Sequence, residues 1–200
     1  MIVAHRHNRF FAPAFTLIEL MIVIAIILVL ASMTIGGLGW YKRKAAVEKT
    51  RILRSSIGQA LEAYRLENGF LPQGGGDDDS TAQVYIALYG DGELAYDSTS
   101  GQVTVRTQPD GKPDSGATTH LNTLEPGLTG SRMNVTSSGG TYIIVDAWAR
   151  PFHYRHDVTG QDDQMMNPPD DFDLWSLGPD GKGGPTGTAK ERRDDITNYQ

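Results

Sequence analysis

Ala14-Phe15-Thr16-Leu17-Ile18-Glu19-Leu20 opens an apolar run that continues to Leu38 and carries one carboxylate just inside its beginning. Between residues 15 and 38 the run is otherwise interrupted only by Thr16, Ser32, Thr34, Gly36 and Gly37. At ~1.5 Å rise per residue, a helix over this stretch is about 36 Å long, enough to cross a hydrocarbon core of about 30 Å with some tilt. An ionised carboxylate at the edge of that core is costly unless it is paired, hydrated or protonated. Glu19 therefore reads as a functional residue in need of a partner.

Outward from this segment, residues 1–14 form a short leader with Arg6, Arg9, His5 and His7, no acid, and the ending Ala12-Pro13-Ala14. A secretory signal places its small residues after the apolar stretch. Here they precede it, and Ser32-Met33-Thr34-Ile35-Gly36 is a poor cleavage site, so the apolar run is expected to remain in the mature chain. Lys42-Arg43-Lys44 after the run is at least as basic as the leader, so charge alone leaves the orientation open. Trp40 and Tyr41 suit a membrane interface.

The hexapeptide Phe15-Thr16-Leu17-Ile18-Glu19-Leu20 behind a short basic leader resembles the class III signal of type IV pilins and type II secretion pseudopilins. The resemblance implies cleavage by a prepilin peptidase between Ala14 and Phe15 on the cytoplasmic side, followed by N-methylation of Phe15. Ala14 stands where the family usually has glycine. The resemblance further implies that Glu19 pairs with the new amino terminus of the adjoining subunit as helices stack into a filament. It places the leader in the cytoplasm, residues 15–38 across the inner membrane as a single pass, and the chain from Trp40 onward in the periplasm. On the residues alone, a single-pass anchor whose Glu19 snorkels toward the headgroups is the alternative.

The chain has 200 residues, a formal net charge of -6 and no cysteine. Removing residues 1–14 takes away two arginines and no acid, which makes the remainder more acidic. That balance argues against nucleic acid as a partner. Without cysteine there is neither a disulfide nor a thiolate metal site, so a domain outside the cytoplasm needs another staple.

Helical periodicity continues past the apolar run. Val47, Leu53, Ile57, Leu61 and Tyr64 share one face, with Lys49, Arg51, Arg54, Glu62 and Arg65 between them. Residues 39–68 are thus an amphipathic extension of the anchor, stopped by Asn68-Gly69 and Pro72. Residues 69–200 make the globular part. There, Gly74 to Asp79 is a polar loop whose three adjacent acids point apart; Ala82 to Leu88 is a short helix, Val103 to Arg106 a strand, and Gln108 to Gly116 a turn-rich loop. Thr141 to Val145 is the strongest strand, bounded by Gly139-Gly140. Phe152 to His156 is expected as its hairpin neighbour across the bend Asp146 to Pro151. His153 and His156 fall on opposite faces of such a strand, which argues against a joint metal site. Tyr64 to Pro72, and the pattern Asp146-x-Trp148-x-x-Pro151-Phe152-x-Tyr154, resemble the helix exit and β-hairpin of major pseudopilins, with Ala149 where glycine is commoner.

The second informative stretch is Asp171-Phe172-Asp173-Leu174-Trp175-Ser176-Leu177-Gly178-Pro179-Asp180-Gly181-Lys182-Gly183-Gly184, followed after a gap by Asp194-Asp195-Ile196. Residues 172–177 alternate as a short strand does, and glycines then bend the backbone so that carbonyls and carboxylates can converge. Hard oxygen donors without cysteine or paired histidine select Ca²⁺ over zinc; on composition alone, an exposed Gly-Asp turn is the alternative. The stretch is similar to the calcium-binding tail of the major type II secretion pseudopilin. That resemblance implies side-chain ligands from Asp180, Asp194 and Asp195 and main-chain ligands from Leu177 and Lys182, with the ion replacing a disulfide. The segment Pro185 to Arg193 is longer than usual for the family, and residues 73–135 carry no resemblance.

The expected architecture is α+β and pilin-like: a long N-terminal helix, transmembrane in its first half, packed on a small antiparallel sheet with a calcium-binding C-terminal loop. By resemblance the chain is a structural subunit of a type II secretion pseudopilus, processed by prepilin peptidase. It would polymerise with minor pseudopilins over an inner-membrane assembly platform, driven by a cytoplasmic ATPase, to export proteins across the outer membrane. A type IV pilin or a minor pseudopilin stands as the alternative in the same class. In another class stands a membrane-anchored periplasmic enzyme or ligand-binding protein, for which His120, His153, His156 and Ser176 are the raw material. No Ser-His-Asp spacing, phosphate loop or zinc motif occurs, so no catalytic residue is assigned and no enzyme is expected.

Overall fold

The computed structural model describes residues 15–156, 165–168 and 171–199, the side chains of residues 33–38 and 131 excepted. The chain divides into two units, one ending at Lys42 and the other running from Arg43 to Gln200. Helix α1 (Leu17–Asn68) contributes to both.

In the first unit α1 presents apolar side chains on all sides. Leu17, Ile22, Val23, Ile26 and Leu30 are each about half exposed or more. A water-facing helix does not take this composition. Among the described residues, no helix is long and apolar enough to cross a membrane; the described side chains of the apolar run stop at Ser32. Ser32, a polar interruption of the run, donates its hydroxyl to the Val29 carbonyl at 2.8 Å and so is satisfied within the helix.

In the second unit the amphipathic spacing decides what is buried. Leu53, Ile57, Leu61 and Tyr64 turn inward from α1, as their period requires. They meet α2 (Ala82–Tyr89), in which residues 84–89 are all buried, together with Phe152, Tyr154, Phe172 and Leu174. Thr50 is also fully buried on this face and accepts the Ala147 N–H at 3.2 Å. Helix α2 ends at Gly90, which adopts a left-handed conformation (φ 75°) and returns its N–H to the Ile86 carbonyl.

The strands are short and form three separate pairings. β1 (Gly74–Gly75), β6 (His153–His156), β7 (Asp173–Ser176) and β8 (Ile196–Thr197) make an antiparallel sheet in the order β1-β6-β7-β8. β2 (Glu93–Tyr96) pairs with β3 (Val103–Thr107), and β4 (Val135–Ser138) with β5 (Thr141–Ile144). The single sheet expected from sequence is therefore one sheet and two hairpins.

The hairpin expected between residues 141–145 and 152–156 needs correction. β5 pairs with β4, β6 pairs with β1 and β7, and the two segments meet at the Val145–Pro151 bridge and through the Phe152 N–H, which donates to the Ile144 carbonyl at 2.9 Å. The cause lies in the turn. Asp146 folds its carboxylate back on the turn's own amides, and Ala149 takes φ 60°, so the chain leaves at an angle and feeds a different sheet.

Ala149 is the one non-glycine residue at positive φ among the described residues. A left-handed conformation costs an L-residue roughly 1–2 kcal/mol. Ala149→Gly should stabilise the protein by about 1 kcal/mol, after allowance for the greater freedom of glycine when unfolded. Urea unfolding of the detergent-solubilised chain measures it, and a loss of stability would show that the Ala149 methyl packs more favourably than its backbone is strained.

Candidate functional site

At the start of α1, Thr16 and Glu19 cap the helix reciprocally. Glu19 Oε2 accepts the Thr16 N–H at 2.9 Å and the Thr16 hydroxyl at 2.8 Å, while the Glu19 N–H reaches Thr16 Oγ1 at 3.3 Å. This is a capping box, the Thr-x-x-Glu pattern that satisfies amides with no partner in the first turn. The pattern is legible in the sequence, but the apolar surroundings of Glu19 direct attention to its charge instead. Within one chain the carboxylate thus has local partners. Phe15, which precedes Thr16, is 83% exposed; Ala14 and the leader lie outside the described residues.

In the second unit, the C-terminal loop leaves β7 at Leu177 and returns at β8. Leu177 is half-buried, Asp180 and Lys182 are exposed, and Asp194 and Asp195 are half-buried. Each carboxylate holds a backbone amide of the loop: Asp180 Oδ1 accepts from Lys182 N–H at 2.8 Å, Asp194 Oδ2 from Asp180 N–H at 3.2 Å, and Asp195 Oδ2 from Gly184 N–H at 2.7 Å. Gly178, at φ 64°, lies so close to the Asp194 backbone that a Cβ would collide with its carbonyl.

The three carboxylates are tied to the loop through its amides, but they are not gathered into a cage. Among the described residues, no three His, Asp or Glu side chains are placed to hold a metal ion. Asp195 carries the signal of an unmet demand. Its Oδ1 is buried and accepts from no described residue. Burial raises its pKa, and the charges of Asp194 and Asp180 raise it further. A buried anionic oxygen near two more carboxylates attracts positive charge, and oxygen donors favour a hard cation over a soft one.

The turn between β5 and β6 supports this loop through residues that sequence reasoning did not assign to it. Asp146, 1% exposed, accepts from Trp148 N–H at 2.8 Å and Arg150 N–H at 3.0 Å with Oδ1, and from the Ser176 hydroxyl at 2.7 Å with Oδ2. Ser176 Oγ in turn accepts from Gly178 N–H at 3.2 Å, and Arg150 Nη1 donates to the Gly178 carbonyl at 2.7 Å. An aspartate opening a turn is a recognisable signal for the first two bonds; nothing local in the sequence points to residues 176 and 178.

The remaining candidates have separate partners. His153 stacks on Trp175 (centroids 5.3 Å apart) and lies with Nδ1 3.1 Å from the Gly76 carbonyl, whereas His156 Nδ1 is 2.8 Å from the Asp171 carbonyl. His120 packs edge-on to Tyr64 and sets Nε2 3.4 Å from Glu67 Oε2, beside a cavity of about 250 Å³. Ser176 is buried and gives its proton to a carboxylate rather than to an imidazole. The exposed Asp77, Asp78 and Asp79 lie in the turn before α2.

Residues 13–35 match the family model described as Prokaryotic N-terminal methylation motif. The chain thus carries the prepilin-type signal of type IV pilin-like proteins at the segment that holds Ala14, Phe15 and Glu19. A comparison with curated proteins finds no match, and one with solved structures finds none either.

Proposed function

We propose that this chain is a structural subunit of a type II secretion pseudopilus, and the major one. Prepilin peptidase removes residues 1–14 and methylates Phe15, α1 anchors the subunit in the inner membrane, and the unit from Arg43 onward faces the periplasm. The observation that carries this reading is the methylation motif over residues 13–35. The apolar side chains exposed along the first unit support it, because a bilayer and then the helices of neighbouring subunits would cover them. The absence of cysteine favours a pseudopilin over a disulfide-closed type IV pilin. Deleting the gene in its host discriminates the two: a pseudopilin mutant retains folded exoproteins in the periplasm, whereas a pilin mutant secretes normally and loses surface fibres.

The C-terminal loop, on the same proposal, binds one Ca²⁺ with Asp180, Asp194 and Asp195 and with the carbonyls of Leu177 and Lys182. The ion supplies charge neutralisation and a crosslink between the loop and β8, in place of a disulfide. Asp195→Asn provides a test with opposite signs in two conditions. In chelator the variant should melt above the wild type, because a buried anionic oxygen without a donor is removed while an amide oxygen still accepts from Gly184. With calcium the order should reverse, since only the wild type gains from ion binding. A variant less stable than the wild type in chelator and equally responsive to calcium would remove Asp195 from the site.

A further inference from the structure

We infer that Arg150 is the positioning residue of the C-terminal loop: its guanidinium, delivered from the β5–β6 turn, fixes the segment Gly178 to Gly181 and so limits the positions open to Asp180. The ion-binding half of this inference rests on the calcium reading above; the positioning half does not.

Gly178 is held by both of its backbone groups, and both routes begin at the same turn. Its N–H reaches Asp146 through the Ser176 hydroxyl, and its carbonyl accepts directly from Arg150 Nη1. Asp146 also accepts the backbone N–H of Arg150, so the two residues fix each other. At the far end of the segment, Gly181 rests against the same guanidinium. The position a Cβ would occupy there lies 2.6 Å from Arg150 Nη1, 2.7 Å from Cζ and 3.0 Å from Nε. Any side chain at Gly181 would displace the guanidinium. Asp180 lies between these two contacts and is therefore carried on one planar group.

Electrostatics acts in the same direction. Asp180 and Asp194 are joined through the Asp180 amide, Asp195 follows Asp194 in the chain, and three like charges so placed repel one another when no cation neutralises them. A fixed positive charge under the loop offsets part of that repulsion, so the loop can keep its shape before an ion arrives. Its planar fork provides what an ammonium cannot, a donor at the Gly178 carbonyl together with a flat face for Gly181. A loop ordered in advance loses less conformational entropy on binding, which is how a residue outside the ligand set alters affinity.

The test uses the full chain in detergent and compares wild type with Arg150→Met and Arg150→Lys. Trypsin cleavage after Lys182 is followed in chelator, with cleavage after Arg54 in α1 as the control for global unfolding, and calcium affinity is measured by titration calorimetry. Arg150→Met should be cut at Lys182 about tenfold faster than wild type while Arg54 stays protected, and should bind calcium about tenfold more weakly, in line with loss of one charge-assisted hydrogen bond. Arg150→Lys should restore the charge without the fork and fall between the two. Cleavage at Lys182 at the wild-type rate in Arg150→Met overturns the inference, as does faster cleavage with unchanged calcium affinity. If the wild type binds no calcium, the calcium reading fails, and cleavage in chelator alone decides whether Arg150 positions the loop.

Discussion

Replacing Asp146 by alanine should lower the unfolding free energy by about 3 kcal/mol, because one buried carboxylate satisfies three donors from two parts of the chain. Oδ1 takes the amides of Trp148 and Arg150, and Oδ2 takes the Ser176 hydroxyl, through which Gly178 is held. Hydrogen bonds to a charged group contribute about 1.5–3 kcal/mol each, and water recovers part of that at the half-buried amides. Asp146→Asn should cost less than half as much, since an amide oxygen still accepts from the turn and its nitrogen can donate to Ser176. Urea unfolding of both variants measures the difference. Equal losses in the two would mean that the carboxylate's charge, through its proximity to Lys49, matters more than its geometry as an acceptor.

The second large effect concerns Glu19, for which two roles must be separated. The structure shows the carboxylate capping its own helix with Thr16; the proposed filament needs its charge to meet an amino terminus of a neighbour. Glu19→Gln keeps the cap, because glutamine serves at that position of a capping box, and removes only the charge. The variant should accumulate and remain helical yet assemble at least about a hundredfold less, since leaving one partner of a buried pair alone costs roughly 3–5 kcal/mol. Thr16→Ala does the converse. It should cost about 1 kcal/mol of helix stability and leave filaments in place. Filament yield by electron microscopy, beside helicity by circular dichroism, reads both variants. Normal assembly of Glu19→Gln with failure of Thr16→Ala would make Glu19 a local cap and no more.

These residues also show what a sequence exposes. The inward face of α1 is written in the spacing of Val47, Leu53, Ile57, Leu61 and Tyr64; the last four are buried in the core, and Val47 is half-buried. α2 and β3 are found where apolar periodicity and β-branched residues put them, each to within a residue. Pairing is a different matter. Thr141 to Ile144 has the composition of a strand, but its partner depends on the exit angle of the Asp146 to Pro151 turn, and so on the backbone of Ala149. β1 consists of two glycines and offers no side-chain pattern at all, and β2, with Glu93 at its start, has no alternation to mark it. In the loop the acids are visible as residue types, whereas the support from Asp146 and Arg150 arises only when residues roughly thirty positions apart come into contact. The candidate acids can thus be named from sequence, and the contacts that hold the loop around them cannot.

The proposal that the segment matched by the methylation motif makes this chain a processed filament subunit is tested most directly at the amino terminus itself. The full chain is expressed with and without a prepilin peptidase, and the mature species is analysed by intact mass and N-terminal peptide sequencing. The expected product begins at Phe15, lacks residues 1–14 and carries one methyl group on its terminal nitrogen, and it appears only with the peptidase. A chain that keeps its leader in the presence of active peptidase, or that is cut within residues 32–36 instead, would contradict the proposal.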